Sequence, residues 1–180
     1  MVYYVQLRTF QQLGTTDYEY ETQLWESNVT LPAGGGIPRG GESMKKVTIE
    51  YRVPYADTDQ MGVVYYGNYL AIFERARNEL MRACGYTYRE CEADGLMLPV
   101  IHAEVDYKSP ARYDDLLEVT AFVQAARGVR LEIACEVRRK GEDALLVKGF
   151  TRHCFVSTKT FRPAPPPQRL VEVLGLPQDA

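Results

Sequence analysis

Apolar and polar positions alternate just after residue 45. "VTIEYRVPYAD" puts Val47, Ile49, Tyr51, Val53 and Tyr55 on one face, the period of two that a half-buried strand requires. The polar turn "DTDQMG" ends it. In "NYLAIFERARNELMRACG" the period changes. Tyr69, Ile72, Phe73, Ala76, Leu80 and Ala83 recur at three- and four-residue steps, which predicts a long amphipathic helix. Asn68 stands where a cap is needed and Gly85 where the helix should stop.

Downstream, "YTYRECEADGLMLP" reads as a connection with a short helical turn. Four more strands are then predicted: one through Ile101, Ala103, Val105 and Tyr107; "LLEVTAFVQAA"; one through Leu131, Ile133, Cys135 and Val137; and "ALLVKGFTRHCFVS". "RG" and "KGED" punctuate the hairpins, and "RPAPPPQ" ends the sheet because proline cannot donate to a ladder. One long striped helix and a largely antiparallel sheet bury each other's apolar faces, so the expected class is α+β, with the helix in the concave face of a curled sheet. Several strands are more apolar than one buried face needs, which predicts a homodimer.

Residues 1–43 follow neither period, and "PAGGGIPRGGES" has linker composition. The expectation is a disordered leader or an over-extended gene start, a domain over 44–167, and a C-terminal tail over 168–180. The leader's acids outnumber its arginines by the whole net charge of −3, so the remainder is balanced and no basic face points to nucleic acid or anionic lipid. No apolar run reaches membrane-span length. No C-x-x-C pair suggests zinc. Cys84, Cys91, Cys135 and Cys154 read as reduced, mostly buried thiols of a cytoplasmic protein.

The chemistry concentrates in "YADTDQMGVVYYGNY". "DTDQMG" begins like a calcium loop, but Met61 and Asn68 occupy positions that need oxygen ligands and a bidentate glutamate, so no metal is expected. Asp57 reads as a turn former. Asp59 precedes Gly62, where the backbone can turn tightly, and the helix start follows. A carboxylate beside open N–H groups at Tyr65 to Asn68 suits acyl transfer: one activates or attacks, the others hold the oxyanion. Tyr55, Tyr65 and Tyr66 would add hydroxyls and walls.

The stretch "VPYADTDQMGVVYYGNYLAIFERARNELMRACGY" resembles the signature of hotdog-fold acyl-CoA thioesterases, the 4-hydroxybenzoyl-CoA thioesterase family and the related enzymes associated with the Tol–Pal system. "DYKSPARYDDLLEV" and the later "RG" fit as well. The resemblance implies a long helix wrapped by a curved antiparallel sheet, a homodimer or homotetramer with sites at the subunit interface, and hydrolysis of acyl-CoA with no cofactor beyond the coenzyme A of the substrate. It makes Asp59 the catalytic acid, Tyr66 N–H the oxyanion donor and Tyr55 a support. Gly62, Tyr65 and Glu74 would line the substrate, and Arg127 and Arg130 would meet the coenzyme A phosphates. Tol–Pal-associated members often carry histidine at the Tyr66 position. The competing reading is a non-hydrolytic acyl-CoA or acyl-carrier binding protein on the same fold, against which an intact Asp59 argues.

Overall fold

The computed structural model describes residues 2–4, 45–174 and 176. Its strands are β1 (Val2–Tyr4), β2 (Lys46–Arg52), β3 (Leu96–Met97), β4 (Val100–Tyr107), β5 (Leu116–Arg127), β6 (Arg130–Arg139), β7 (Leu145–Cys154) and β8 (Val156–Ser157). Its helices are α1 (Asn68–Ala83), α2 (Tyr88–Ala93) and α3 (Gln168–Leu174). Six strands form one antiparallel sheet in the order β1-β4-β7-β6-β5-β2, and β3 pairs with β8. Register shifts at Ile101 in β4, Gln124 in β5 and Leu146 in β7 mark irregularities that bend the ladder. The sheet curls around α1, and this is the hotdog fold.

Local chemistry explains the elements. In β2, Lys46, Thr48, Glu50 and Arg52 are exposed while Val47, Ile49 and Tyr51 turn inward. α1 buries Tyr69, Ile72, Phe73, Ala76, Leu80 and Met81 against the sheet. Its end is a Schellman motif: Tyr86 N–H donates to Met81 O at 3.2 Å and Gly85 N–H to Arg82 O at 2.9 Å. α2 begins with a capping box in which Thr87 and Glu90 satisfy each other's backbone N–H.

Several expectations need correction. Ala83 is exposed and the stripe continues through Met81 and Cys84, because a 3.6 period drifts off a simple three-four count. The helix cap is Gly67, and Asn68 is the first helical residue. Tyr55 does not share the inward face of β2. The ladder ends at Arg52, Pro54 follows, and Tyr55 enters a 3₁₀ turn at 77% exposure. The last long strand is two, β7 and β8, divided at buried Phe155. From residue 168, where a tail was expected, α3 packs Leu170 and Leu174 into the core, joined by Leu176. Val2–Tyr4 pairs antiparallel with β4; the expectation for the rest of the leader lies outside the described residues. All four cysteines are buried and free.

Gly149 of β7 lies where helix and sheet leave no room for a side chain. A Cβ there would lie 2.2 Å from Glu104 O and 2.9 Å from Phe73 Cε2. Backbone oxygen cannot rotate away, so β4 or Phe73 on α1 would have to move. Gly149→Ala is expected to destabilise the protein by roughly 1–3 kcal/mol, the usual range for overpacking. Urea denaturation of the two proteins measures it.

Candidate active site

The turn after β2 is built by its own backbone. Asp59 N–H donates to Val63 O and Gly62 N–H to Asp59 O, each at 2.9 Å. Gly62 has φ +69°, a region that costs other residues roughly 1–2 kcal/mol. Asp59 Oδ1 accepts from Met61 N–H at 2.8 Å. The turn-forming carboxylate is therefore that of Asp59, and one of its oxygens is oriented by the turn. Asp57 does something else. Its Oδ2 accepts from Tyr51 Oη at 2.5 Å, and its carbonyl accepts from Tyr65 N–H at 2.8 Å and Asn68 Nδ2 at 3.0 Å. It ties strand β2 to the start of α1. Burial and the Asp57 carboxylate push Tyr51 up to about 12, so its hydroxyl remains a donor at neutral pH.

A second set of bonds staples the turn to the β4–β5 connection. Val64 N–H donates to Ala111 O at 2.9 Å, and Val63 bridges Arg112. Between these segments lies a cleft of about 300 Å³. Asp59, Tyr66, Tyr69, Tyr107, Lys108 and Pro110 are among the residues that line it. Tyr107 Oη donates to Tyr66 O at 2.9 Å, and its ring meets Tyr69 edge-on at 5.6 Å. Burial pushes Tyr107 up to about 12 and also raises Tyr69. Lys108 is paired with Asp106 at 2.5 Å, and that hydrogen bond lowers the Asp106 pKa.

The structure thus brings Asp59 and Tyr66 to one cleft, with Gly62 in the turn between them. Tyr65 packs on Tyr66 with centroids 4.5 Å apart, and a hydrogen bond donated to Tyr66 raises its pKa. The N–H groups expected to be open are narrowed, since Tyr65 donates to Asp57 O and Asn68 donates to Tyr65 O. Tyr55 stacks edge-on to Tyr113 at 5.8 Å and lies outside the cleft lining; Tyr51 is the tyrosine that reaches an aspartate. Glu74 lies against a different cavity, on the next turns of α1. Arg127 and Arg130 flank the Gly128–Val129 turn, both exposed and outside the cleft lining. Tyr69, Tyr107 and Lys108 are among the cleft residues that sequence reasoning missed. The "DYKSP" segment signalled the last two only as part of the resemblance. Among the described residues no group of acids, histidines or cysteines is arranged to hold a metal ion, and no helix is long and apolar enough to cross a membrane.

Comparisons with known proteins identify the family. The Thioesterase-like superfamily model matches residues 53–174. The chain is 30% identical over 129 residues to the 1,4-dihydroxy-2-naphthoyl-CoA hydrolase of Synechococcus elongatus, covering 71% of this chain and 93% of that one. It is 40% identical over 80 residues to the acyl-CoA thioester hydrolase YbgC of Escherichia coli, covering 44% of this chain and 60% of the relative. The crystal structure of Slr0204, a 1,4-dihydroxy-2-naphthoyl-CoA thioesterase from Synechocystis, superposes with a TM-score of 0.67 at 27% identity, over 72% of this chain and 96% of the other. The match begins just after β2, runs through α3, and includes the Asp59 turn, the cleft lining and strands β3 to β8. The chain belongs to the Thioesterase-like superfamily and, within it, to the hotdog-fold acyl-CoA thioesterases.

Proposed function

We propose that the cleft hydrolyses the thioester of an aromatic or short-chain acyl-CoA, with Asp59 as the group that attacks the carbonyl carbon or removes a proton from the attacking water. The Tyr66 N–H, at the mouth of α1, stabilises the oxyanion. Either route breaks the C–S bond, gives the carboxylic acid its oxygen from water, and sends a proton to the departing coenzyme A sulfur. The observation that carries the reading is the meeting of an oriented carboxylate and the helix start on one tyrosine-walled cleft. Carboxylate and amide supply the whole reaction, so no resident metal or cofactor is required.

The cleft is short and lined by tyrosine rings, which suits a flat or small acyl group better than a long chain. Two relatives named for 1,4-dihydroxy-2-naphthoyl-CoA point the same way. Met61, on the cleft lining, and Tyr55, ahead of the same turn, stand exposed at 75% and 77%. A second copy of the chain would cover them and dry the site, so the working form is a homodimer, or a tetramer of two, in the cytoplasm. Arg127 and Arg130 then become phosphate contacts at the interface.

The test is thiol release from benzoyl-, 1,4-dihydroxy-2-naphthoyl-, hexanoyl- and palmitoyl-CoA. Turnover of the first three is expected to exceed that of palmitoyl-CoA by about tenfold or more, a discrimination of ~1.4 kcal/mol. A preference for palmitoyl-CoA would overturn the substrate class. Binding without thiol release from any of the four would overturn hydrolysis.

A further inference from the structure

The other half of α1 carries a cation whose charge has no partner. Arg77 sits one turn after Glu74, yet no ion pair joins it to Glu74 or to any other carboxylate among the described residues. Its Nη1 donates to His153 Nε2 at 3.1 Å and, more weakly, to Thr151 Oγ1 at 3.4 Å. His153 is fully buried and its Nδ1 meets Leu98 O at 3.1 Å. Arginine has only donors, so Nε2 is the acceptor and Nδ1 carries the proton. His153 is therefore neutral and brings no negative charge to Arg77.

The opposite edge of the guanidinium is unpaired. Arg77 Nε is buried with no hydrogen-bond partner, and no bond within the described residues engages Nη2. That edge is the fork that takes a carboxylate with two parallel bonds. Tyr88 lies beside it, with Arg77 Cζ 5.6 Å from its ring centre; its buried hydroxyl has no hydrogen bond of good geometry and can only accept from Arg77, which leaves its own proton without a partner. Burial pushes Tyr88 up to about 12, so it stays a donor. Both residues line a cavity of about 330 Å³ that shares no lining residue with the Asp59 cleft. Leu96 and Met97 form an apolar wall, and Glu74 and Glu92 stand exposed on its rim.

We infer that this cavity binds a small monocarboxylate, its carboxyl group on Arg77 and Tyr88 and its apolar body against Leu96 and Met97. Two unpaired buried donors beside an uncompensated charge are what an anion would satisfy. The rim carboxylates disfavour a dianion such as phosphate, and the apolar wall favours an anion with a hydrocarbon or aryl body. The inference is independent of the chemistry at Asp59.

Benzoate is the probe, followed by calorimetry on the full chain, with inorganic phosphate as competitor. Wild type and the cleft variant Tyr66→Ala are expected to bind benzoate alike. Arg77→Met is expected to bind it about tenfold or more weakly, and Tyr88→Phe several-fold more weakly, as each loses a bond to a charged group. Arg77→Met should fold, since removing a buried charge with no counter-ion relieves a desolvation cost; Tyr88→Phe removes one oxygen and carries the test in any case. Equal binding by wild type, Arg77→Met and Tyr88→Phe would overturn the site. So would loss of binding in Tyr66→Ala, or no saturable binding to wild type at millimolar benzoate. Displacement by equimolar phosphate would overturn the carboxylate preference.

Discussion

Asp59→Asn is expected to lower kcat for acyl-CoA hydrolysis by about 10³-fold, within the 10²–10⁴-fold range of a positioned acid or base. KM should stay within a few-fold. Asparagine has nearly the shape of aspartate, and its side-chain oxygen can still accept from Met61 N–H. The turn, held also by Asp59 N–H to Val63 O and Gly62 N–H to Asp59 O, keeps its form. What is lost is the negative charge and the basicity. The thermal midpoint should therefore hold while the rate falls, and thiol release with a melting curve separates the two. Equal rates in the two proteins would remove Asp59 from the mechanism.

His153 is expected to make the fold acid-sensitive well above the carboxylate range. Burial, then the Arg77 charge, lower its pKa to about 3, against an ordinary value near ~6.5 in the unfolded chain. Between those values the unfolded state binds a proton that the folded state refuses, so stability rises with pH and falls as pH drops below ~6.5. At pH ~5 this residue alone should cost about 2 kcal/mol relative to pH ~7.5. Urea denaturation at both pH values, for wild type and His153→Gln, measures it: the variant should show a smaller drop. Equal drops would mean that His153 is protonated without cost in the folded protein.

What the sequence revealed divides by distance along the chain. Asp59, Gly62 and the start of α1 lie within nine residues of each other, so spacing alone aligned them. The order of strand, helix and four strands followed from the change in period at Asn68. Tyr107 ends β4 and Lys108 follows it, and only the tertiary fold brings them to Tyr66. Arg77 meets His153 for the same reason. Tyr55 was misread because alternation continues past Pro54 in the letters while the ladder has already ended. Tyr51, inward on the same pattern, was counted as core, though its hydroxyl ends on Asp57. α3 was missed because the prolines before it marked an end, although Leu170 and Leu174 stand one helical step apart.

The strand order also has a consequence for how the chain folds. β5, β6 and β7 are joined by short hairpins and pair with their sequence neighbours, so their contacts close small loops and can form early. β2 finds its partner only across α1, with Arg52 opposite Leu116 and Lys46 opposite Phe122. The Asp59 turn leads directly from that late-docking strand. The hairpin meander can therefore assemble without the reactive loop, and the loop takes its final shape only when β2 closes the sheet over the helix.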